Sequence, residues 1–481
     1  MIQNAKRRYE HLTDGKLVLD SKKRREFAFA AVDTCISIYI NGRVNEWTPV
    51  PLLSRFIPQV ADLLPESVLP NKERHCLIAE LLYKSGMKLG GLPVKAMQFM
   101  SLRHDLPEGY CEEFSKAQES TSFRSPAEHV QKILGKFPGL EWDDSDEFVK
   151  SASIAQVHTN CTWQGKPAVA KVQHAHVKEE YESDLKIMAD LGQHVDKYEE
   201  AKGAAVMLKS LAEKLAPTVS SETDFTKEAA NQDRIQKMFA ASHSDVVVPE
   251  VFAATEMGLI MEKLPGKTAA EAIACWKRGE PLDIFDRQQR NVIYDLFAQM
   301  VLKHRFFQMD AHPGNFMALD TVKVALLDFG QCCEPSPKQV TLFQNFALTA
   351  PTSEEDAIDE TKILSWISEM GVKVATAAEA KASADLLFFG QKSSIFPSTK
   401  EIDPELMPLL LISFYLSRFE SEAAELRSHV GLKDQADDFA VLKAFRYVAE
   451  EVNATRELQG LEHDTLRVMG EMWDLPQAQA D

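Results

Sequence analysis

The chain has 481 residues, 45% hydrophobic and 26% charged, which is typical of a globular protein and sufficient for two or three domains. A formal net charge of −18 argues against a nucleic-acid-binding protein, whose footprint would be basic. Seven scattered cysteines without paired CxxC spacing predict reduced thiols and no zinc site.

Membrane and secretory segments are not expected. The most apolar windows, 26–40 and 406–416, fall short of the roughly 18 uninterrupted apolar residues that a spanning helix needs. The basic residues near the N-terminus are not followed by an apolar stretch, so no secretory signal is predicted. We therefore expect a soluble, cytoplasmic chain.

Residues 1–125 predict a helical extension. The stretch RHCLIAELLYKSGMKLGG carries apolar residues at helical spacing and ends at Gly90 and Gly91. LPVKAMQFMSLRHDLPEGYCEEFSKA follows, and its Pro107 predicts the start of another helix.

Residues 126–265 predict a smaller lobe of mixed structure. SPAEHVQKIL predicts a capped helix, and EFVKSASIAQVHTNCTWQGKPAVAKVQ predicts two strands joined by a turn at Gly165. Helices are expected at 178–200 and 204–215, and a third follows the cap SSETDF. DVVVPEVFAATEMGLIMEKLPG predicts two further strands, with Gly258 in the turn between them.

Residues 266–481 predict a helical lobe, broken by one hairpin in NFMALDTVKVALLDFG. The sequence shows no internal repeat and no low-complexity linker. The predicted order is therefore a helical extension, a mixed lobe and a larger helical lobe.

Five separated side chains fit phosphoryl transfer, which requires a cation on the phosphates, oxygen ligands for magnesium and an acceptor for the hydroxyl proton. Lys171 ends a strand and would contact the phosphates, oriented by Glu228. Asp310 would accept the proton; it precedes Asn315 by five residues, as in a protein-kinase catalytic loop. Asn315 and Asp328 would ligate Mg2+. Their order along the chain predicts a kinase-like fold that binds ATP or ADP.

Two stretches would complete a nucleotide site. Ahead of Lys171, a loop offers Ala152, Ser153 and Ala155 where such loops usually have glycines. In GLIMEKLPG, the backbone from Glu262 to Leu264 falls where a kinase hinge would bind adenine; an ordinary buried strand running into a turn is the alternative.

The motifs SASIAQVH, ETDFTKEAANQDR, MDAHPGNF and LLDFGQ resemble the UbiB family of atypical kinase-like proteins, also called the aarF-domain (ADCK) family. The resemblance covers roughly residues 80–345. It implies an α+β bilobal kinase-like fold in which an alanine-rich loop, here with Ala152 and Ser153, replaces the glycine-rich one. That loop is associated with a preference for ADP over ATP, although Lys150 and Ser151 stand at positions more often occupied by alanine.

The resemblance also implies a lid that folds over the site and excludes peptides. The family's Lys-x-Gly-Gln motif matches KAMQ in a degenerate form, with Lys95 and Gln98 retained. Its Glu-x-Asp partner motif matches Glu222 and Asp224, whose carboxylates would meet the lysine. Gln308 occupies a position where the family often has histidine, which removes no ligand.

The function implied is that of a magnesium-dependent ATPase or kinase acting on a small molecule or lipid, with coenzyme Q or another prenyl lipid as the suggested pathway. Membrane contact would be peripheral, and the basic clusters 6–8 and 22–25 are candidate contacts, unless they are merely solvated faces. The alternatives are a phosphotransferase of the aminoglycoside or choline kinase type, which shares the DxHPGN loop, and a non-catalytic nucleotide-binding scaffold. A conventional protein kinase is not expected, because little room for an activation segment follows Asp328.

Overall fold

The structure, a computed structural model, describes residues 21–41, 71–101, 109–118, 124–143, 145, 149–151, 154–240, 245–320, 322–349, 352–353 and 407–455. Two compact units divide the chain. Unit 1 contains residues 1–233, 249–263 and 329–331, and unit 2 contains residues 234–248, 264–328 and 332–481.

In this part of the chain the helices are α1 Ser21–Asn41, α2 Asn71–Leu89, α3 Leu92–Met100, α4 Tyr110–Ser115, α5 Ala127–Leu134, α6 Val177–Val195, α7 Lys202–Glu222, α8 Phe225–Phe239, α9 Ala269–Lys277, α10 Arg287–Gln299, α11 Pro337–Thr349, α12 Met407–His429 and α13 440–455. The strands are β1 Leu140–Trp142, β2 Val149–Ser151, β3 Ala155–Trp163, β4 Lys166–Gln173, β5 Val246–Val247, β6 Val251–Thr255, β7 Gly258–Glu262, β8 Lys267–Thr268, β9 Phe307–Gln308, β10 Phe316–Ala318, β11 Val324–Leu326 and β12 Cys332–Cys333.

The sheet of unit 1 is antiparallel, with strand order β1-β3-β4-β7-β6 and β2 paired to β3. The predicted turn at Gly165 is confirmed: Gln164 and Gly165 adopt φ values of 50° and 82° between β3 and β4. Two consecutive positive φ values match the right-handed twist of a tight hairpin. The other predicted turn is displaced, because Gly258 is the first residue of β7 and not a turn residue.

Strand β4 separates two layers of unit 1 because successive side chains of a strand point to opposite faces. Ala168, Ala170 and Val172 pack against α5 in one hydrophobic cluster. Lys171 lies between them in sequence and therefore projects from the other face. The second face is covered by a larger cluster to which α3, α6, α7 and α8 contribute apolar residues.

Local boundaries differ from the sequence prediction where helices begin. Helix α7 continues through the first half of the expected SSETDF cap and ends at Glu222, while Asp224 of that cap accepts from the N–H of Thr226 at the start of α8. Pro126 is the N-cap residue of α5 and provides no side-chain cap. The hydroxyl of Ser125, which could have served as that cap, lies 2.8 Å from His174 Nδ1. A tertiary contact therefore uses the side chain that the local pattern assigned to the helix.

Unit 2 contains more strand than its sequence predicts. The expected hairpin is confirmed as β10 and β11, which lie in a four-stranded sheet of order β5-β11-β10-β8. Strands β9 and β12 form a separate antiparallel pair. These strands are two or three residues long, too short to show the alternation from which strands are inferred. Among the helices that the structure describes, none has both the length and the hydropathy to cross a bilayer.

A buried charge cluster joins α10 to α12 within unit 2. Arg290 Nε donates to Glu420 at 2.6 Å, and its Nη1 donates to Asp434 at 2.8 Å. Arg427 Nε also donates to Asp434, at 2.6 Å, and the Tyr294 hydroxyl donates to Glu420 at 2.7 Å. Burial raises the pKa of Asp434, but hydrogen bonds from Arg290 and Arg427 outweigh burial and hold the pKa below its usual 3.8.

We expect Asp434→Asn to lower the free energy of unfolding at neutral pH by about 3 kcal/mol, because both arginines lose a buried charged partner. A carboxylate with a lowered pKa stabilises the fold above its unfolded pKa and loses that effect as the pH falls. Denaturant unfolding should therefore show a constant difference from wild type above about pH 5, shrinking below 3.8. Glu451→Gln, which breaks an exposed pair with Lys303, should cost at most about 0.5 kcal/mol. Equal effects of the two variants would contradict this assignment.

Candidate active site

Lys171 forms a buried ion pair with Glu228 in unit 1. Its Nζ lies 2.8 Å from Oε1 and 2.9 Å from Oε2 of Glu228, and the two side chains are only 8% and 2% exposed. The ring of Phe225 lies 5.2 Å from the same ammonium group. The backbone of Lys171 is fixed in the middle of the sheet, since Lys171 on β4 is paired with Val157 in β3 and with Leu259 in β7.

Helix α8 presents a polar face to the interior of unit 1. Residues three and four apart share one face of a helix, so Asn231 and Gln232 lie on the same side as Glu228. Asn231 Nδ2 donates to the carbonyl of Phe329 at 3.0 Å, and Gln232 Nε2 donates to that of Pro249 at 2.7 Å. Neither Asn231 nor Gln232 was predicted as a site residue. Their spacing from Glu228 was the available signal.

The predicted lid residues are partly brought together. Lys95 on α3 lies 2.9 Å from Glu222 Oε1 at the end of α7, with side-chain exposures of 16% and 4%. Asp224 accepts hydrogen bonds from the backbone N–H and hydroxyl of Thr226, at 3.0 and 2.6 Å, and so caps α8. Gln98 belongs to α3, but its side chain is outside the described residues.

The tip of the nucleotide loop, Ala152 and Ser153, lies outside the described residues. Ala155 is fully buried at the start of β3, where it pairs with Gln173 of β4. A buried polar network follows the loop: Gln156 accepts a hydrogen bond from the backbone N–H of Ser125 at 2.7 Å. The roles predicted for the loop stay predictions.

The expected hinge begins at the end of β7. The N–H of Glu262 donates to the carbonyl of Glu250 at 2.8 Å, and that of Lys263 donates to the carbonyl of Pro167 at 3.2 Å. Both N–H groups are thus used within unit 1. Leu264, the other predicted contact, belongs to unit 2, and its role in adenine binding stays a prediction.

The catalytic loop of unit 2 holds Asp310 and Asn315 together. Asn315 Nδ2 donates to the Asp310 carbonyl at 3.0 Å and approaches its carboxylate at 3.3 Å. A carbonyl oxygen can only accept, so the amide nitrogen must face Asp310, and Oδ1 is the atom left for a cation. His312 Nδ1 accepts from the N–H of Gly314 at 3.0 Å, which shapes the short turn at Pro313–Asn315.

Asp328 follows β11 with a left-handed backbone, at φ 57°, and its side chain is exposed. This conformation costs a residue with a Cβ atom about 1–2 kcal/mol. Gln308 compensates: its buried Nε2 donates to the carbonyls of both Leu327, at 2.8 Å, and Asp328. Gln308 therefore holds the backbone of Asp328.

The oxygen donors of this loop fit magnesium. Asp328 offers an exposed carboxylate, and the orientation of Asn315 offers an amide oxygen. Magnesium is commonly held in proteins by one or two such ligands together with substrate phosphates and water. Asp310 is hydrogen-bonded to Asn315, and its role as proton acceptor stays a prediction.

One expected membrane contact is corrected by the structure. Of the cluster 22–25, Arg24 is 1% exposed and inside unit 1, and Arg25 pairs with Asp190. Arg24 is therefore withdrawn from the surface, whereas Arg25 stays exposed within an ion pair. The cluster 6–8 lies outside the described residues.

Comparisons with known proteins agree on one family. The ABC1 atypical kinase-like domain matches residues 122–362. Over 330 residues the chain is 27% identical to the Arabidopsis thaliana protein "ACTIVITY OF BC1 COMPLEX KINASE 8, chloroplastic", covering 66% of this chain and 41% of that protein. Over 290 residues it is 28% identical to a "Probable protein kinase UbiB" of Aeromonas hydrophila, covering 58% and 51%. The chain thus spans about half or less of the length of these relatives.

Among solved structures, the complex of Rv3197 with erythromycin from Mycobacterium tuberculosis is similar to this chain at 19% identity. The match covers 73% of this chain and 91% of that one, with a TM-score of 0.43.

We expect Gln308→Leu to lower the free energy of unfolding by about 2–4 kcal/mol, because two backbone carbonyls lose their donor. Gln344→Leu is the matched control, since Gln344 is another buried glutamine of unit 2 that donates two hydrogen bonds, to Ala449 and Asn453. Both variants should unfold at lower denaturant concentration. Only Gln308→Leu should also weaken the binding of Mn2+, measured by electron paramagnetic resonance with ADP present. Unchanged Mn2+ binding in Gln308→Leu would mean that Gln308 does not position Asp328.

Proposed function

Because the chain belongs to the ABC1 atypical kinase-like family, we propose that it binds ATP or ADP with magnesium and transfers or hydrolyses the terminal phosphate. The observation that carries the proposal is the buried pair of Lys171 and Glu228. A buried ion pair contributes little net stability compared with well-packed apolar residues, whereas losing one partner costs about 3–5 kcal/mol. A function that needs a fixed ammonium group explains why such a pair is present.

Each side chain has a definite part in the proposed reaction. Lys171 would donate hydrogen bonds to phosphate oxygens while Glu228 keeps its ammonium group oriented. Asp310 would accept the proton of the attacking hydroxyl or water, held in place by Asn315. Asp328 and the amide oxygen of Asn315 would hold magnesium, which when bound neutralises charge on the phosphates.

A small molecule or lipid is the acceptor we propose, because the chain offers little support for a peptide. Residues 331–336 alone separate Gly330 from α11, and two of them form strand β12. A conventional protein kinase uses a long activation segment at this point to hold its substrate. The pairing of Lys95 with Glu222 supports the same proposal, because it fixes α3 to the end of α7, just before the helix that carries Glu228.

The pathway we propose is prenyl-lipid metabolism, coenzyme Q included, on the strength of the family resemblance and of the relatives named UbiB. Such an acceptor resides in a membrane, so we propose peripheral contact with a membrane surface. The exposed Lys22 at the start of α1 is one cation available for this contact.

We expect Mg2+ with ADP or ATP to raise the thermal stability of the wild-type chain, since ligand at about 100 times its dissociation constant stabilises the native state by roughly 2.7 kcal/mol. Asp328→Asn should lose the magnesium-dependent part of the shift. For the lysine, the double variant Lys171→Met with Glu228→Gln is preferable to a single change, because it leaves no buried charge unpaired. It should fold but show no shift.

Differential scanning fluorimetry with nucleotide alone and with Mg2+ added separates the two contributions. Lys166→Met, at an exposed position on the same strand, is the control and should respond like wild type. A folded wild-type chain that no nucleotide stabilises would refute the proposed function. A shift without turnover under any condition would favour the non-catalytic scaffold.

The acceptor can be approached through ADP release. We expect vesicles of phosphatidylcholine and phosphatidylglycerol to raise the rate of ATP hydrolysis severalfold, because a membrane-bound acceptor requires the chain to engage the bilayer surface. Asp310→Asn should abolish release in both conditions. Rates that are equal with and without vesicles would argue for a water-soluble acceptor instead.

A further inference from the structure

Helix α1 makes two unlike ion pairs with helix α6 through adjacent arginines. Arg24 is buried and forms a bidentate ion pair with Asp184. Its Nε lies 2.9 Å from Oδ1 and its Nη2 lies 2.6 Å from Oδ2. The two side chains are 1% and 4% exposed. Arg25 pairs with Asp190 on the surface, where the side chains are 51% and 37% exposed. The contrast provides a natural control for the buried pair.

The guanidinium of Arg24 also reaches the end of α2. Its Nη1 donates to the carbonyl of Leu89, the last residue of that helix, at 2.8 Å. The last carbonyls of a helix have no partner within it, and the negative end of the helix dipole favours a cation there. Leu89 is followed at once by Gly90 and Gly91, with φ values of 64° and 59°, and α3 begins at Leu92. Arg24 thus binds the point from which the chain turns into α3.

Asp184 supports the same turn from the other side. A Cβ atom added to Gly91 would lie 3.3 Å from Asp184 Oδ2 and 3.4 Å from Cε1 of Tyr181. Gly91 therefore lies directly against the carboxylate that Arg24 holds. The direction in which α3 leaves the turn depends on where Arg24 keeps that carboxylate.

Helix α3 connects this turn to the candidate active site. Lys95 is its fourth residue and pairs with Glu222 at 2.9 Å. Glu222 ends α7, and Glu228, the partner of Lys171, lies in the first turn of the next helix. All of these residues belong to unit 1.

We propose that Arg24 is a positioning residue: by fixing the Gly90–Gly91 turn together with Asp184, it sets α3 so that Lys95 meets Glu222. Through this contact, the N-terminal helix α1 determines the geometry of the candidate nucleotide site. The part of the inference that concerns nucleotide affinity rests on the proposed function, and the part that concerns α3 does not.

A purely structural pair is the competing interpretation, and local hydrogen exchange distinguishes the two. Arg24→Lys keeps a cation near Asp184 but lacks the fork that also reaches Leu89. The double variant Arg24→Met with Asp184→Asn removes both charges and avoids leaving one unpaired. Arg25→Met is the control on the neighbouring pair. Exchange is measured by mass spectrometry on the full chain without nucleotide, in peptides covering α3 and in peptides covering β3 and β4.

We expect both Arg24 variants to speed exchange in α3 by at least about tenfold, since local opening of α3 becomes more frequent. Exchange in β3 and β4 should stay within about twofold of wild type, and Arg25→Met should change neither region. An even increase across unit 1 would identify an ordinary structural pair, and no increase in α3 would show that the turn is held without Arg24. Either result overturns the proposal.

A double-mutant cycle with Lys95 tests the connection to the site. Arg24→Lys should weaken ADP binding at least about threefold in the wild-type background and have no further effect once Lys95→Met is present, because both changes act through one contact. Additive effects would contradict the proposed route. Should wild type bind no ADP, the proposed function fails, while the exchange measurement still decides the role of Arg24.

Discussion

The contact between the ammonium group of Lys171 and the carboxylate of Glu228 is the interaction on which the architecture of unit 1 depends. Removing either charge would leave the other buried, at a cost of about 3–5 kcal/mol, so strand β4 and helix α8 must stay in one relative position. Asn231 and Gln232 extend the same constraint along α8 by binding the carbonyls of Phe329 and Pro249. A helix whose buried Glu228 and Gln232 and half-buried Asn231 are all hydrogen-bonded on one face is held in a single register.

Three buried or nearly buried ion pairs connect distant parts of unit 1, namely Arg24–Asp184, Lys95–Glu222 and Lys171–Glu228. Each joins separate helices or a helix and a strand, and each needs a defined geometry, unlike an apolar contact that tolerates sliding. The N-terminal helices thus belong to the same polar framework as Lys171 and Glu228 of the candidate active site. In unit 2 a neutral side chain has the corresponding positioning role. Gln308 holds the strained backbone of Asp328 with two hydrogen bonds and without a titratable group.

The sequence predicted those features whose signal is local or carried by order along the chain. The β3–β4 hairpin, the β10–β11 hairpin and the family were predicted, and the structure pairs Lys171 with Glu228 as expected. Burial of a charged side chain depends on a partner far away in sequence, which is why Arg24, 160 residues from Asp184, was expected on a basic surface. The role of Gln308 was missed because its partners are backbone carbonyls, which leave no trace in residue type.

Affinity labelling tests most directly whether Lys171 faces a bound nucleotide phosphate, as we propose. An acyl-phosphate derivative of ATP transfers its acyl group to a lysine beside the phosphates, and peptide mass spectrometry identifies the labelled residue. We expect labelling of Lys171 that ADP with Mg2+ suppresses, while exposed Lys166 on the same strand reacts weakly and without competition. Labelling that is spread over surface lysines and unaffected by ADP, with Lys171 unmodified, would contradict this proposal.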